Sequence, residues 1–81
     1  MKGMVSAVNY RKKRVATRTE HGYTLLDLLD DQKVDVGHAL SGELDVVGNT
    51  TLTNETTGKR IKVCIEAVRA GETNMRGIMA S

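Results

Sequence analysis

Residues 60–68 read RIKVCIEAV, and this alternation of apolar and polar side chains indicates a β-strand. Side chains along a strand point to opposite faces with a period of two, so the stretch has one mainly β-branched face and one mixed face. The residues expected to face inward are Ile61, Val63, Ile65 and Ala67, and those expected to face outward are Lys62, Cys64, Glu66 and Val68. A strand buried on one face needs neighbours, and the preceding sequence contains candidates for them.

Residues 39–47 alternate in the same way and predict the strand that precedes 60–68. The side chains expected on its inner face are Leu40, Gly42, Leu44 and Val46. Gly42 indicates a bulge at which the strand would bend around a barrel. Residues 50–54 are a candidate for a short additional edge ribbon.

Three earlier strands are predicted at about 2–8, 14–20 and 23–29. His21 and Gly22 leave room only for a tight turn, so the second and third strands must be antiparallel neighbours. In the second strand, Val15 and Thr17 share one face, and Arg14, Ala16 and Arg18 share the other. The fold class predicted is all-β, a small five-stranded antiparallel OB-like barrel, with an SH3-like barrel as the alternative.

The length of 81 residues allows one domain with a small core. We expect the barrel to occupy residues 1–70, and residues 71–81 to form a flexible C-terminal tail because they show no apolar period. No apolar run approaches the roughly 18 residues of a membrane span, and the start of the sequence has no signal-peptide pattern. A cytoplasmic protein without a membrane partner is therefore expected.

Charge is unevenly distributed along the chain. Residues 1–19 contain six Lys or Arg and no acid, whereas residues 20–45 contain seven acids and one Lys. Residues 46–81 contain five basic and three acidic side chains. A polyanionic partner would require the basic segments to gather on one side and the acidic middle to turn away from it.

The basic run at 11–14 is the clearest functional candidate, because four adjacent cations repel one another and a polyanion relieves that repulsion. The alternative is that the run only solvates a turn and opposes edge aggregation. Tyr10 beside it is a candidate for stacking one base or for the core, whereas Tyr23 is expected in the core. The basic residues at 59–62 would widen the patch if the last strand lies beside the first. The candidate nucleic-acid-binding residues are Tyr10, Arg11, Lys12, Lys13, Arg14, Arg18, Lys59, Arg60 and Lys62.

Catalytic and metal-binding patterns are missing from the sequence. His21 and His38 lie at predicted turns and Cys64 stands alone, so no nucleophile, base and orienting group occur together. The acids at 27–35 lack the spacing of a calcium loop and are interpreted as a solvated turn. We expect no enzyme activity, no metal and no cofactor.

The segment Lys2-Gly3-Met4-Val5, followed by Asn9, resembles the opening of cold-shock domains, which starts Lys-Gly-x-Val. Val36-Gly37 followed by residues 40–44 is similar to the fourth strand of that family. The resemblance covers the order of elements over residues 1–68. It implies an OB-type barrel that binds single-stranded nucleic acid.

The positions where that family stacks bases on aromatic rings carry none here. In the register of the resemblance they fall on Ser6, Ala7, Arg14 and Ala16, and on residues 24–27 of the third strand. Binding without rings must depend on phosphate charge. We therefore expect weak, mainly electrostatic binding of single-stranded RNA or DNA. The alternative is a protein–protein interaction or self-associating module.

Overall fold

Six strands form a closed antiparallel barrel in the computed structural model, which describes residues 1–80. The strands are β1 (Lys2–Asn9), β2 (Arg14–Thr19), β3 (Gly22–Leu28), β4 (Ala39–Ser41), β5 (Gly48–Asn54) and β6 (Lys59–Ala70), followed by helix α1 (Glu72–Ala80). Around the barrel the order is β1-β2-β3-β6-β5-β4, and β4 closes it by pairing with β1. The prediction of a small all-β, OB-like antiparallel barrel is confirmed, with six strands in place of five.

Residues 39–47 were predicted to form one strand, but only Ala39–Ser41 do so, and a separate strand, β5, begins at Gly48. Strand β4 ends at Ser41 because Gly42 has a φ of 136°, a conformation that favours glycine. Leu44 is still buried, although it lies in a loop, and its carbonyl accepts a 2.7 Å hydrogen bond from Thr24 Oγ1. Val46 was wrongly predicted to face inward and is 57% exposed. The candidate ribbon at 50–54 is part of β5, which pairs with β6 along its whole length.

The barrel interior contains apolar residues that alternation predicted to face inward in two segments: Leu40 and Leu44, and Ile61, Val63 and Ile65 of β6. The buried interior residues are Val5, Val15, Leu26, Val34, Leu40, Leu44, Leu52, Ile61, Val63 and Ile65. Each strand contributes one or more of its inward positions, so the period-two pattern decided this core. Val34 joins them from the long loop between β3 and β4.

Alternation fails near the end of β6. Leu26 pairs with Ile65, but the neighbouring Leu25 pairs with Ala67, so Glu66 is an extra residue and forms a bulge. The bulge reverses the predicted orientations beyond it. Ala67, predicted to face inward, packs on the outside of the barrel, and Val68, predicted to face outward, packs against the interior.

A second apolar cluster lies on the outer face of the barrel, between the sheet and α1. Ala16, Leu25, Ala70 and Met75 are buried in it. The residues that pack around them are Ala7, Tyr23, Ala67, Ile78 and Met79. The sequence predicted a tail without regular structure here, whereas the structure has a docked helix over Glu72–Ala80. Ser81, the last residue of the predicted tail, lies outside the described residues.

The helix docks because Met75, Ile78 and Met79 repeat at helical spacing over a sheet face built from small alanines. Its carboxyl end also has polar partners. Asn9 Nδ2 donates to the Met79 carbonyl and Arg14 donates to the Ile78 carbonyl, each at 3.0 Å. Both carbonyls belong to the last turn, where the helix itself supplies no donor. Within residues 1–80, no helix is long and apolar enough to cross a membrane.

Gly77 lies in the exposed middle of α1, and replacing it with alanine is expected to stabilise the protein. A Cβ at this position would meet nothing within 4 Å, and glycine in a helix costs about 1 kcal/mol relative to alanine. The midpoint of thermal unfolding should rise by about 4–8 °C. Gly42→Ala is the matched control, because its positive φ and the Leu52 methyl 2.8 Å from the new Cβ should lower the midpoint. An unchanged thermal midpoint in Gly77→Ala would contradict the presence of a folded helix at this position.

Candidate nucleic-acid interface

Three connections meet at one end of the barrel: the β1–β2 turn, the β3–β4 loop and the β5–β6 turn. Leu28 N donates to the Lys13 carbonyl and Leu29 N donates to the Lys62 carbonyl, each at 2.8 Å. We call residues 10–14, 29–38 and 55–62 the basic end. It contains eight Lys or Arg and four Asp or Glu, an excess of four positive charges.

The last strand was expected to lie beside the first strand, and this expectation is wrong. Strand β6 lies between β3 and β5 and does not neighbour β1. The end of β3 connects the two basic segments, because the Lys13 carbonyl accepts from the Leu28 amide and the Lys62 carbonyl accepts from the next amide, that of Leu29. The residues at 59–62 therefore share the basic end with the turn at 11–13.

Part of the acidic segment folds against the basic turn, although a polyanion site would favour the opposite arrangement. Lys13 Nζ lies 3.1 Å from Asp31 Oδ1, and the Tyr10 hydroxyl donates to Asp35 Oδ1 at 2.7 Å. The cause is topological: the β3–β4 loop has to cross this end so that β4 can pair with β1. The Lys13–Asp31 pair is exposed and contributes little to stability.

Arg14 has a structural role at the basic end. Its Nε donates to Asp27 Oδ1 at 2.8 Å, because antiparallel pairing places Arg14 directly opposite Asp27. This hydrogen bond raises the pKa of the guanidinium, and the same group holds the last turn of α1 through Ile78. The guanidinium is half-buried and engaged, so a phosphate would have to compete for it with Asp27 and the helix.

Arg18 is separated from the other candidates. It pairs with Met4 on β1 and with Tyr23 on β3, next to the β2–β3 turn at the opposite end of the barrel. Tyr23, which was expected in the core, is half-buried and packs against the outer cluster, not in the barrel interior. The structure therefore does not bring Arg18 together with the basic turn.

Five candidates remain exposed at the basic end, and none of them forms an ion pair with any residue between 1 and 80. They are Arg11, Lys12, Lys59, Arg60 and Lys62. Arg60 and Lys62 lie on the outer face of β6, opposite Thr53 and Thr51 of β5. Helix α1 packs on β1, β2 and β3, so it leaves this polar ribbon uncovered.

Helix α1 covers the outer-face positions to which the resemblance with cold-shock domains assigned stacking rings. Ala7, Ala16 and Leu25, which the resemblance placed at ring positions, lie beneath α1. Ser6 donates to the Ala16 carbonyl at 3.3 Å. A base could reach this face only if the helix moved away.

A cavity of about 160 Å³ opens at the basic end. Its floor is apolar and consists of Val8, Leu28 and Val34, which pack with the barrel interior. The other lining residues are Tyr10, Lys13, Asp30, Asp31, Gln32 and Lys33. Tyr10 is 64% exposed and does not belong to the core. Its hydrogen bond to Asp35 raises the pKa of the phenol above its ordinary value. Sequence reasoning missed this cavity because its floor comes from three separate segments.

The remaining reactive side chains have structural surroundings. Partial burial, with the neighbouring Glu66, raises the pKa of the Cys64 thiol, which disfavours the nucleophilic thiolate. His38 Nδ1 lies 3.2 Å from the Asp35 amide and 3.0 Å from Asn54 Nδ2. Asn54 Oδ1 accepts from the Thr56 and Thr57 amides, so its Nδ2 is the donor to His38. In the part of the chain that the structure describes, no three His, Cys, Asp or Glu residues could hold a metal ion.

No family model, curated protein or solved structure matches this chain. The arrangement of its own side chains is therefore the basis for a functional proposal.

Proposed function

We propose that this barrel binds single-stranded RNA or DNA weakly, through phosphate contacts at the basic end. The observation that supports the proposal is the group of exposed cations at Arg11, Lys12 and 59–62, none paired with an acid among residues 1–80. Five cations held at one end of a small barrel attract a flexible polyanion and release its counterions. Asp31 and Asp35 at the same end reduce that attraction, so the affinity is weak.

The position of the basic end in the fold also supports this proposal. In OB-type barrels the loops between strands 1 and 2 and between strands 4 and 5 flank the oligonucleotide site. By this comparison, the β1–β2 turn and the β5–β6 turn are the corresponding candidates in this six-stranded barrel. The cold-shock resemblance suggests the same class of ligand, although α1 covers the face that the family uses.

A salt-dependence experiment tests the proposal. Titration with a thymidine strand of about 12 nucleotides should show binding at about 50 mM salt, and affinity should fall steeply as salt rises. The double variant Arg11→Ala/Lys12→Ala should bind more weakly and reduce the log–log slope by about 1.4, at about 0.7 for each lost phosphate contact.

The double variant Lys2→Ala/Arg18→Ala is the matched control. It removes the same charge from the opposite end of the barrel, so its slope should equal that of the unmodified protein. Equal losses in both double variants would indicate attraction by net charge alone and would contradict a site at the basic end. A lack of binding at low salt would reject the proposal itself.

A protein partner is the second candidate function. Val46 and Val47 are 57% and 60% exposed in the β4–β5 loop, away from the basic end. Met1, also exposed, is joined to this loop because its carbonyl accepts from the Gly42 amide at 3.0 Å. Exposed neighbouring apolar side chains are typical of interaction surfaces. Val46→Ser/Val47→Ser should then abolish self-association in sedimentation measurements, without changing oligonucleotide binding.

A further inference from the structure

We propose that the cavity at the basic end receives one base of the bound strand, stacked against Tyr10, with a pyrimidine ring as the best fit. This inference rests on the proposed function, because the phosphates would have to bring the strand to the basic end first. It assigns to Tyr10 and to the cavity floor a role separate from that of the exposed cations.

The size and lining of the cavity favour a flat six-membered ring. An apolar protein cavity of about 150 Å³ accommodates benzene. The cavity here measures about 160 Å³, and its floor of Val8, Leu28 and Val34 offers a ring only apolar contacts. Desolvating the face of a base against such a floor is favourable, and a polar or charged head group would gain nothing from it.

Tyr10 is held in a position suited to stacking. Its hydroxyl donates a hydrogen bond to Asp35 in the β3–β4 loop, so the side chain is anchored at its tip while most of its surface stays exposed. An anchored ring loses little conformational freedom on stacking, which increases the affinity gained from the contact. Stacking on a tyrosine is tolerant of sequence, since every base has a π-face.

The charges around the cavity favour a nucleotide over an apolar side chain of a protein. Lys33 lines the cavity, and Arg11 and Lys12 directly follow Tyr10 in the β1–β2 turn; all three are exposed and have no ion pair within residues 1–80. The acids that line the cavity, Asp30 and Asp31, have partners within the protein: Asp31 pairs with Lys13, and the Asp30 carboxylate accepts the Gln32 and Lys62 amides. Asp35 accepts the hydrogen bond of Tyr10. A planar apolar group flanked by negative charge is complementary to this arrangement, and that description fits a base with its phosphates.

The test compares a thymidine strand of about 12 nucleotides with an abasic strand of equal length, at about 50 mM salt. The thymidine strand is expected to bind about tenfold more tightly, because stacking adds to the phosphate contacts that both strands make. Tyr10→Ala should remove this difference and leave the affinity for the abasic strand unchanged. Tyr10→Phe keeps the ring and should retain most of the difference.

Methyl spectra locate the base independently of affinity. Only the thymidine strand should shift the methyl signals of Val8, Leu28 and Val34, because an aromatic ring in the cavity changes their local magnetic field. Equal affinity for the two strands, without these shifts, would overturn the base-binding inference and leave the phosphate proposal standing. A lack of binding by either strand would overturn both. Shifts of the same methyl signals on concentrating the protein alone would identify a second copy as the occupant and overturn the inference.

Discussion

Replacing Met75 with alanine is expected to lower the free energy of unfolding by about 2 kcal/mol and the thermal midpoint by about 10 °C. Met75 is the most buried side chain of α1 and joins the helix to Ala16, Leu25 and Ala70. Truncation leaves a cavity between helix and sheet, which costs the lost transfer energy of the side chain and the lost packing contacts. Urea unfolding followed by circular dichroism measures the loss.

Met4→Ala is the matched control for this prediction. Met4 is 58% exposed on the outer face of β1, so removing the same atoms there should change stability by less than about 0.5 kcal/mol. If the two variants were equally stable, residues 72–80 would behave in solution as the undocked tail that the sequence suggested. Met75→Leu, which keeps the apolar volume, should retain most of the stability.

Leu25 and Leu26 are adjacent in sequence but belong to two separate apolar clusters. The stability cost of replacing each of them with alanine should therefore depend differently on whether Met75→Ala is also present. Both side chains are fully buried, so each substitution alone should cost about 3 kcal/mol. Leu25 shares the outer cluster with Met75, whereas Leu26 lies inside the barrel. In the Met75→Ala background the cost of Leu25→Ala should therefore fall by at least about 1 kcal/mol, and the cost of Leu26→Ala should stay the same.

This double-mutant cycle uses unfolding free energies measured under one set of conditions for six proteins in parallel. Residues that share a cluster are coupled because the first truncation already loosens the packing around the second. Additive effects for both leucines would show that α1 does not pack on β3. Coupling of Leu26 to Met75 would show that the two clusters are one continuous core.

The docked helix also restricts where a nucleic acid could contact the barrel. Helix α1 covers the outer face of β1, β2 and β3, and Arg14 is engaged at the carboxyl end of the helix. The exposed ribbon of β5 and β6 and the turn at 10–13 remain accessible. Stabilising the helix through Gly77→Ala should accordingly leave oligonucleotide affinity unchanged.

The sequence by itself determined the strands and most of the barrel interior. Alternation is a local property, so the pattern alone predicted the inward positions Leu40, Ile61, Val63 and Ile65. The tight turn at His21 and Gly22 likewise predicted the pairing of two strands. The cluster of cations at 11–14 was visible for the same reason, because it is contiguous in the chain.

Only the tertiary structure decided the features that depend on distant segments. The bulge at Glu66 comes from pairing with β3 and reverses Ala67 and Val68. The helix forms because its three apolar side chains find a sheet face of alanines, and nine residues with a central glycine are too few to be stable alone. Because the β3–β4 loop crosses the basic end, Asp31 pairs with Lys13, whereas Arg11 and Lys12 stay exposed. Which cations remain accessible depends on which acids fold beside them, and that is set by the order of strands around the barrel.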